Sequence, residues 1–300
     1  MKKILRNVFL SLFSFLKIKV DGKPLVYWLG RAYLPADDKL DLLSVESSVR
    51  YDLMKRWGPR SAQFITLLKS LSINENLYIV FFRNFMKHIG LFESQLGQDC
   101  FVDTLLHNKR NGVFVEIGVG DGKRLSNTFF FEKHRDWNGV LCEPSKCFHQ
   151  AISTNRNAVL IPQAVFKVSG AKLDFVEVKG EEELSTIRQY IAIDRHSREH
   201  YIEYPVSTIS FNDLCAEYVP AGKIDYVSID TEGSEYEIIS AIDFNRVDIS
   251  IISIEHNYNL EKLSRIRSVL LKHSYIEIDN EVFSWDVFFV KKAILEPFLN

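Results

Sequence analysis

The run Val113-Phe-Val-Glu-Ile-Gly-Val-Gly-Asp-Gly122 constrains this chain more than any other stretch. Four of its first five residues are apolar and two are β-branched valines, the pattern of a buried parallel strand that stops at Gly118. Glycines at 118, 120 and 122 remove the Cβ atoms that would hold a ligand away from the backbone. They also permit a tight turn from strand into helix. A strand closed in this way belongs to an α/β sheet with a ligand across its carboxyl end.

A second short strand, Gly139-Val-Leu-Cys-Glu143, follows about 20 residues later and ends in an acid, where such folds hydrogen-bond ribose hydroxyls. The two features together point to a nucleoside. The glycine spacing is G-x-G-x-G, whereas the dinucleotide fingerprint is G-x-G-x-x-G, whose pyrophosphate rests on bare backbone N–H groups. Asp121 inside the loop and Glu116 just before it would repel a pyrophosphate but suit a ligand carrying an ammonium and a sulfonium. The ligand expected from the residues is therefore S-adenosylmethionine, and the competing reading is an ordinary strand-to-helix turn.

With 300 residues, 46% of them hydrophobic, the chain can build one sizeable domain and an appendage. A formal net charge of −2 lacks the basic balance that binding to a phosphate backbone demands, so no nucleic-acid partner is expected. Cys100, Cys142, Cys147 and Cys215 show neither a C-x-x-C pair nor zinc-finger spacing and read as reduced thiols, consistent with a cytoplasmic protein. The apolar segment between Arg6 and Lys17 is too short to span a membrane and no A-x-A cleavage site follows it. Residues 1–20 suit either a helix lying on an anionic membrane surface or a helix packed on the protein or on a second copy in a homo-oligomer.

Residues 38–89 carry helical stripes, so residues 1–90 are expected to form a helical appendage and residues 91–300 the α/β domain. Ser94 is a candidate cap for an entering helix ending near Leu106. After the glycine loop, Ser126 to His134 reads as a helix whose start faces the ligand, placing Ser126 and Asn127 to hold a methionine carboxylate. A helix from about Ser145 to Asn155 precedes a strand Ala158–Val165, and Pro162 argues for a sheet edge. Residues 170–209 form an excursion with a short strand at 172–177. Arg188, Arg195, His196 and Arg198 there are candidates for an acceptor-binding rim, against the alternative of a solvated surface. Strands Lys223–Asp230 and Asp248–Glu255 follow, then a helix from Leu260 to His273 and strands at 275–278 and 282–290. These elements make an open, mostly parallel sheet with one antiparallel strand.

The loops at the carboxyl ends of the strands are Gly118–Gly122, Glu143-Pro144, Asp230-Thr-Glu-Gly-Ser-Glu235 and Glu255-His-Asn-Tyr258, and they should converge on one crevice. Several runs together resemble the FkbM family of S-adenosylmethionine-dependent methyltransferases. They are Ser94-Gln-x-Gly-Gln-Asp99, Phe114-Val-Glu-Ile-Gly-x-x-Asp-Gly122 with Ser126-Asn-Thr128, Glu143-Pro144, Ile224-Asp-Tyr-x-Ser-Ile-Asp-Thr-Glu-Gly-Ser-Glu235, and Glu255-His-Asn-Tyr258. The resemblance covers roughly Ser94 to the C-terminus. It implies a Rossmann-like class I methyltransferase fold with seven strands, and methyl transfer, usually to a hydroxyl of a sugar or natural-product scaffold. It also implies that Gly118, Gly120, Asp121 and Glu143 line the cofactor. Val119 stands where that family commonly has alanine.

An aliphatic hydroxyl needs a base, a metal or both before it attacks. His256, the one imidazole in the last loop, is the expected general base, with Asp230 and Glu232 orienting the acceptor and the histidine. A capping or surface histidine is the plain alternative. Asp230, Glu255 and Asn257 could also ligate one magnesium ion, a reading placed below the metal-free one. The expected function is thus O-methylation of a sugar, glycan or glycosylated metabolite. The competing readings are a non-catalytic interaction protein that keeps the scaffold, and a nicotinamide dehydrogenase.

Overall fold

The computed structural model describes residues 91–193, 196–278 and 285–299, positions within 77–88, and the short strands β1 (Lys19–Val20) and β2 (Lys23–Pro24), which pair antiparallel. The chain forms two compact units, Met1–Lys69 and Ser70–Asn300. The helices expected over residues 1–16 and from 38 to 76 lie outside the described residues, while the described positions between 77 and 87 are helical. No helix among the described residues is long and apolar enough to cross a membrane.

The larger unit is built on seven strands: β3 (Val113–Ile117), β4 (Asn138–Cys142), β5 (Val159–Ile161), β10 (Lys223–Ile229), β11 (Asp248–Glu255), β12 (Tyr275–Ile278) and β13 (Asp286–Lys291). Their order across the sheet is β12-β13-β11-β10-β3-β4-β5. The central strands pair in parallel, and β13 runs antiparallel to both of its neighbours. This is the mostly parallel Rossmann-like sheet with one antiparallel strand that the sequence pattern predicts. Phe114, Val115, Tyr226, Val227, Ile251 and Ile252 are fully buried, because helices cover both faces and each strand must be apolar on both sides. Burying each such side chain contributes about 1.5–3 kcal/mol, which fixes the strand positions and so the positions of their polar tips.

The connecting helices are α1 (Gln98–Leu105), α2 (Phe129–His134), α3 (His149–Asn155), α4 (Phe211–Tyr218), α5 (Glu235–Ala241), α6 (Leu260–Leu270) and α7 (Lys292–Leu299). Ser94 is not the N-cap residue of α1, although its Oγ accepts the first-turn Asp99 N–H at 3.4 Å. Gly97 occupies the cap position in the left-handed conformation, and the shorter bond of Ser94 Oγ is the one it donates to Asp99 Oδ1 at 2.6 Å. Behind the sheet, Arg135 grips Asp103 with two 2.7 Å bonds and lies over the Phe130 ring, tying α1 to the end of α2.

The expected strand over Ala158–Val165 is two strands. Pro162 has no N–H to give a ladder, so β5 ends at Ile161, and β6 (Ala164–Phe166) restarts in a different sheet. That second sheet has the order β6-β9-β7-β8, and the excursion at 170–209 supplies its other three strands. With β6 it comprises β7 (Lys172–Val178), β8 (Thr186–Ile187) and the ten-residue β9 (Tyr201–Ser210), and has its own small core around Phe175, Ile187 and Val206. Neither β9 nor the closing helix α7 is apparent from the residue pattern, since Pro205 and Pro297 sit inside them.

Candidate active site

β3 ends at Ile117, and Gly118 takes φ +81°. A Cβ at this position would stand 1.6 Å from the carbonyl oxygen of Asp230, so only glycine allows the two strand ends to approach so closely. Gly118 N–H donates to the Cys142 carbonyl at 3.0 Å and Asp230 N–H to the Ile117 carbonyl at 2.8 Å. The ladder thus draws the ends of β3, β4 and β10 to one point.

The glycine loop is held by carboxylates. Val119 and Gly120 N–H donate to Glu143 Oε2 at 2.9 and 3.1 Å, and Ser145 N–H donates to Oε1 at 2.8 Å. Burial nonetheless pushes the Glu143 carboxyl up to about 7, outweighing those three donors. Asp121 Oδ1 accepts the N–H groups of Lys123 and Arg124 at 2.8 and 2.7 Å, closing the turn. On β3, Glu116 accepts from Thr128 Oγ1 (2.6 Å), Asn127 N–H (2.8 Å) and Ser126 Oγ (3.0 Å), which fastens the entry to α2. Asn127 turns its Nδ2 to Ser228 Oγ at 2.9 Å, and its buried Oδ1 has no hydrogen-bond partner.

The opposite wall is made by the ends of β10, β11 and β13. Oxygens of Asp230, Glu232 and Glu255 lie within 4.8 Å of one another. Burial first, then the charge of Asp230, raises the Glu255 carboxyl well above its usual range, and burial raises Asp230 to about 6. A proton shared between them would relieve the repulsion. Glu232, in the left-handed region at φ +56°, accepts from Arg198 Nη2 at 2.9 Å. Asn257 Nδ2 donates to Glu255 at 2.9 Å and to Glu232 at 3.2 Å. Asp286, raised by burial to about 7, accepts from Gln98 Nε2 at 2.7 Å. The two walls face one cavity of about 470 Å³, within the range of small-ligand sites.

A profile of the family described as "Methyltransferase FkbM domain" matches residues 116–277. The chain belongs to the FkbM methyltransferase family. Its solved neighbours include a precorrin-6y C5,15-methyltransferase from Geobacter metallireducens, with 14% identity and a TM-score of 0.35 over 67% of this chain and 89% of that one. The fibrillarin pre-rRNA processing protein of Methanococcus jannaschii shares 13% identity over 66% of this chain and 74% of that chain, at TM-score 0.37. A methyltransferase from Pyrococcus furiosus shares 14% over 71% and 96%, at 0.33. No curated protein matches in a sequence search.

In this FkbM-family chain every residue expected at the site lines the cavity except Asp121 and His256. Asp121 is spent on its own turn. His256, expected as the general base, is 2% exposed and accepts the Tyr258 N–H at Nδ1 (3.1 Å). Burial holds its ring down to about 4, so it is neutral at physiological pH, and its Nε2 is enclosed in protein without a partner. The basic rim is mostly committed elsewhere. Arg188 donates to Tyr201 Oη at 2.7 Å, Arg198 is buried against Glu232, and Arg195 lies outside the described residues, leaving His196 on the cavity.

Asn257 turns its amide nitrogen, not its oxygen, to both Glu255 and Glu232. The set Asp230, Glu255 and Asn257 therefore does not offer three oxygens to one magnesium ion. Asp286 and Trp285, which line the cavity, were not identifiable as site residues; the one available signal was an acid at the head of the apolar run Val287-Phe-Phe-Val290.

Proposed function

We propose that this chain transfers a methyl group from S-adenosylmethionine to a hydroxyl oxygen of a sugar, glycan or glycosylated metabolite. One observation carries the cofactor reading: the amides of Val119 and Gly120, the donors a pyrophosphate would need, are already given to Glu143, while the described charged side chains lining the cavity are carboxylates with the exception of Arg124. An acceptor-lined pocket suits a ligand that brings donors and positive charge, and disfavours a dinucleotide. When bound, S-adenosylmethionine supplies an activated methyl group on a sulfonium.

The chain's residues then divide the work. Glu143 holds the loop and keeps lone-pair capacity toward ribose hydroxyls, since three N–H donors leave part of its carboxylate free. Asn127 Oδ1, the orphaned acceptor, meets the ammonium of the methionine moiety. The carboxylate was the group expected there from the sequence, but the amide donor is turned to Ser228 and only the acceptor end is left. Asp230, the carboxyl raised only to about 6 in the buried pair it forms with Glu255, takes the proton of the acceptor hydroxyl as the oxygen becomes the nucleophile.

Titration calorimetry with S-adenosylmethionine and S-adenosylhomocysteine tests the reading. Saturable binding of both is expected. If neither binds, the fold is acting as a scaffold for protein interactions and the enzymatic reading fails.

A further inference from the structure

The segment after β11 is built in an expensive way. Asn257 and Tyr258 take φ +48° and +58°, two consecutive non-glycine residues in the left-handed region, which asparagine tolerates but which costs the tyrosine about 1–2 kcal/mol. The side chain so displayed is 54% exposed, although an aromatic ring ordinarily gains by burial. It lines the same cavity as the carboxyl pair, and Trp285 lines it beside the start of β13.

The turn is held from below. His256 N–H donates to the Trp285 carbonyl at 2.8 Å, and Asn257 N–H donates to the same oxygen at 3.3 Å. Tyr258 N–H donates to His256 Nδ1 at 3.1 Å, and the imidazole stands edge-on to the tyrosine ring, with centroids 6.0 Å apart. A protonated imidazole has no acceptor nitrogen, so burial that keeps the ring neutral also keeps this bond.

We propose that Tyr258 and Trp285 form the acceptor shelf, stacking against the apolar C–H face of a pyranose-type ring, and that His256 is the positioning residue that fixes Tyr258 in place. The proposal rests on the methyltransferase reading above. Hydroxyls at the ring edge would meet Asp230, Glu255 and Asp286, a cluster in which burial raises every carboxyl, so that a proton kept on Glu255 or Asp286 can donate while the remaining oxygens accept. That protonation, with the Arg198 guanidinium on Glu232, leaves the wall less anionic than its count of acids suggests. A neutral polyol fits better than a cationic amine, which would call for bare carboxylates, and better than an anion, because the one arginine lining the cavity among the described residues, Arg124, is already paired with Glu183.

The test uses the full-length protein saturated with S-adenosylhomocysteine and the methyl pyranosides of glucose, galactose, mannose and rhamnose, followed by saturation-transfer NMR at millimolar sugar. At least one pyranoside should bind, with transfer concentrated on the protons of one ring face. Tyr258→Ala and Trp285→Ala should each weaken that binding about tenfold, while Tyr258→Phe retains it. His256→Ala should weaken it in the same sense and His256→Asn, whose amide oxygen can replace Nδ1, should restore it. Affinity for S-adenosylhomocysteine, measured separately, should stay unchanged in all of them and serves as the control for folding. The shelf is overturned if no pyranoside binds the saturated protein, if the alanine variants bind as well as the parent, or if tetramethylammonium binds in preference to every sugar. Failure to bind S-adenosylhomocysteine at all would instead sink the underlying methyltransferase reading.

Discussion

Asn127 allows protein and ligand to be altered independently. Its backbone N–H is fixed on Glu116 at 2.8 Å and its Nδ2 on Ser228 at 2.9 Å, so Oδ1 has one direction in which to point. A buried amide oxygen without a partner costs the fold about 1–3 kcal/mol, recovered when a donor arrives. The bond from an ammonium is charge-assisted and contributes about 1.5–3 kcal/mol, or roughly 10–150-fold in affinity. The assay is calorimetry of the parent and Asn127→Ala against S-adenosylhomocysteine and its deamino analogue. The four affinities form a cycle that cancels the long-range pull of the surrounding carboxylates on the ammonium. Asn127→Ala should cost S-adenosylhomocysteine at least about tenfold and the deamino analogue less than about twofold. Equal losses for the two ligands would show that Asn127 only supports the loop, and would refute the assignment.

Gly118→Ala should destabilise the protein by more than about 2 kcal/mol in a denaturant titration, because the new Cβ meets the Asp230 carbonyl and the backbone is left-handed; an unchanged midpoint would contradict the packing described. Asp230→Asn and Glu255→Gln should each lower kcat by about 10²–10⁴-fold while S-adenosylhomocysteine affinity is largely kept; activity near the parent's would remove the carboxyl pair from the mechanism. Glu143 and Asp286 are held up to about 7 in the fold, so above the unfolded carboxylate range the native state keeps protons that the unfolded chain has released, and stability falls as pH rises through 7. His88, His134 and His256 are lowered and act in the opposite sense, but their effect is complete by about pH 7. The ligand-free Tm should therefore drop between pH 7 and 8, and a rise there would refute the shifts. Chelation should leave turnover unchanged; loss restored by magnesium would reinstate a metal.

The large sheet was legible because each of its central strands is an apolar run ended by glycine or an acid, and strands buried on both faces leave no other pattern. The crevice was legible for the same reason, since the polar tips of those runs must share one edge. What the runs could not reveal was the direction of individual side chains. Asp121 and Asp230 look alike as acids at loop positions, yet one closes its own turn and the other faces the cavity. His256 looked like a base because it is an imidazole in the right loop, but its neighbours' backbone decided its role. Of the small sheet the strand at 172–177 was legible, while Pro162 and Pro205 obscured β6 and β9, strands that tertiary pairing nonetheless sustains.

That small sheet is part of the site. Arg198 Nε donates to the Leu184 carbonyl at 2.7 Å, its Nη1 to the Ile191 carbonyl at 3.3 Å and its Nη2 to Glu232 Oε2 at 2.9 Å. Thr186 Oγ1 donates to the backbone oxygen of Glu232 at 2.9 Å, and Gly233 leaves just enough room for Tyr190, whose Cβ would sit 2.6 Å from an added side chain. The left-handed Glu232 is thus held by the excursion from both its backbone and its carboxylate. Removing Arg198 would leave a buried carboxylate without its guanidinium, a change that costs about 3–5 kcal/mol where such pairs have been broken. The negative charge released would also raise the proton affinity of Asp230 and Glu255 nearby. The segment that borders the acceptor therefore also sets the strength of the proposed base, so altering its shape to admit a different acceptor changes the chemistry along with the fit.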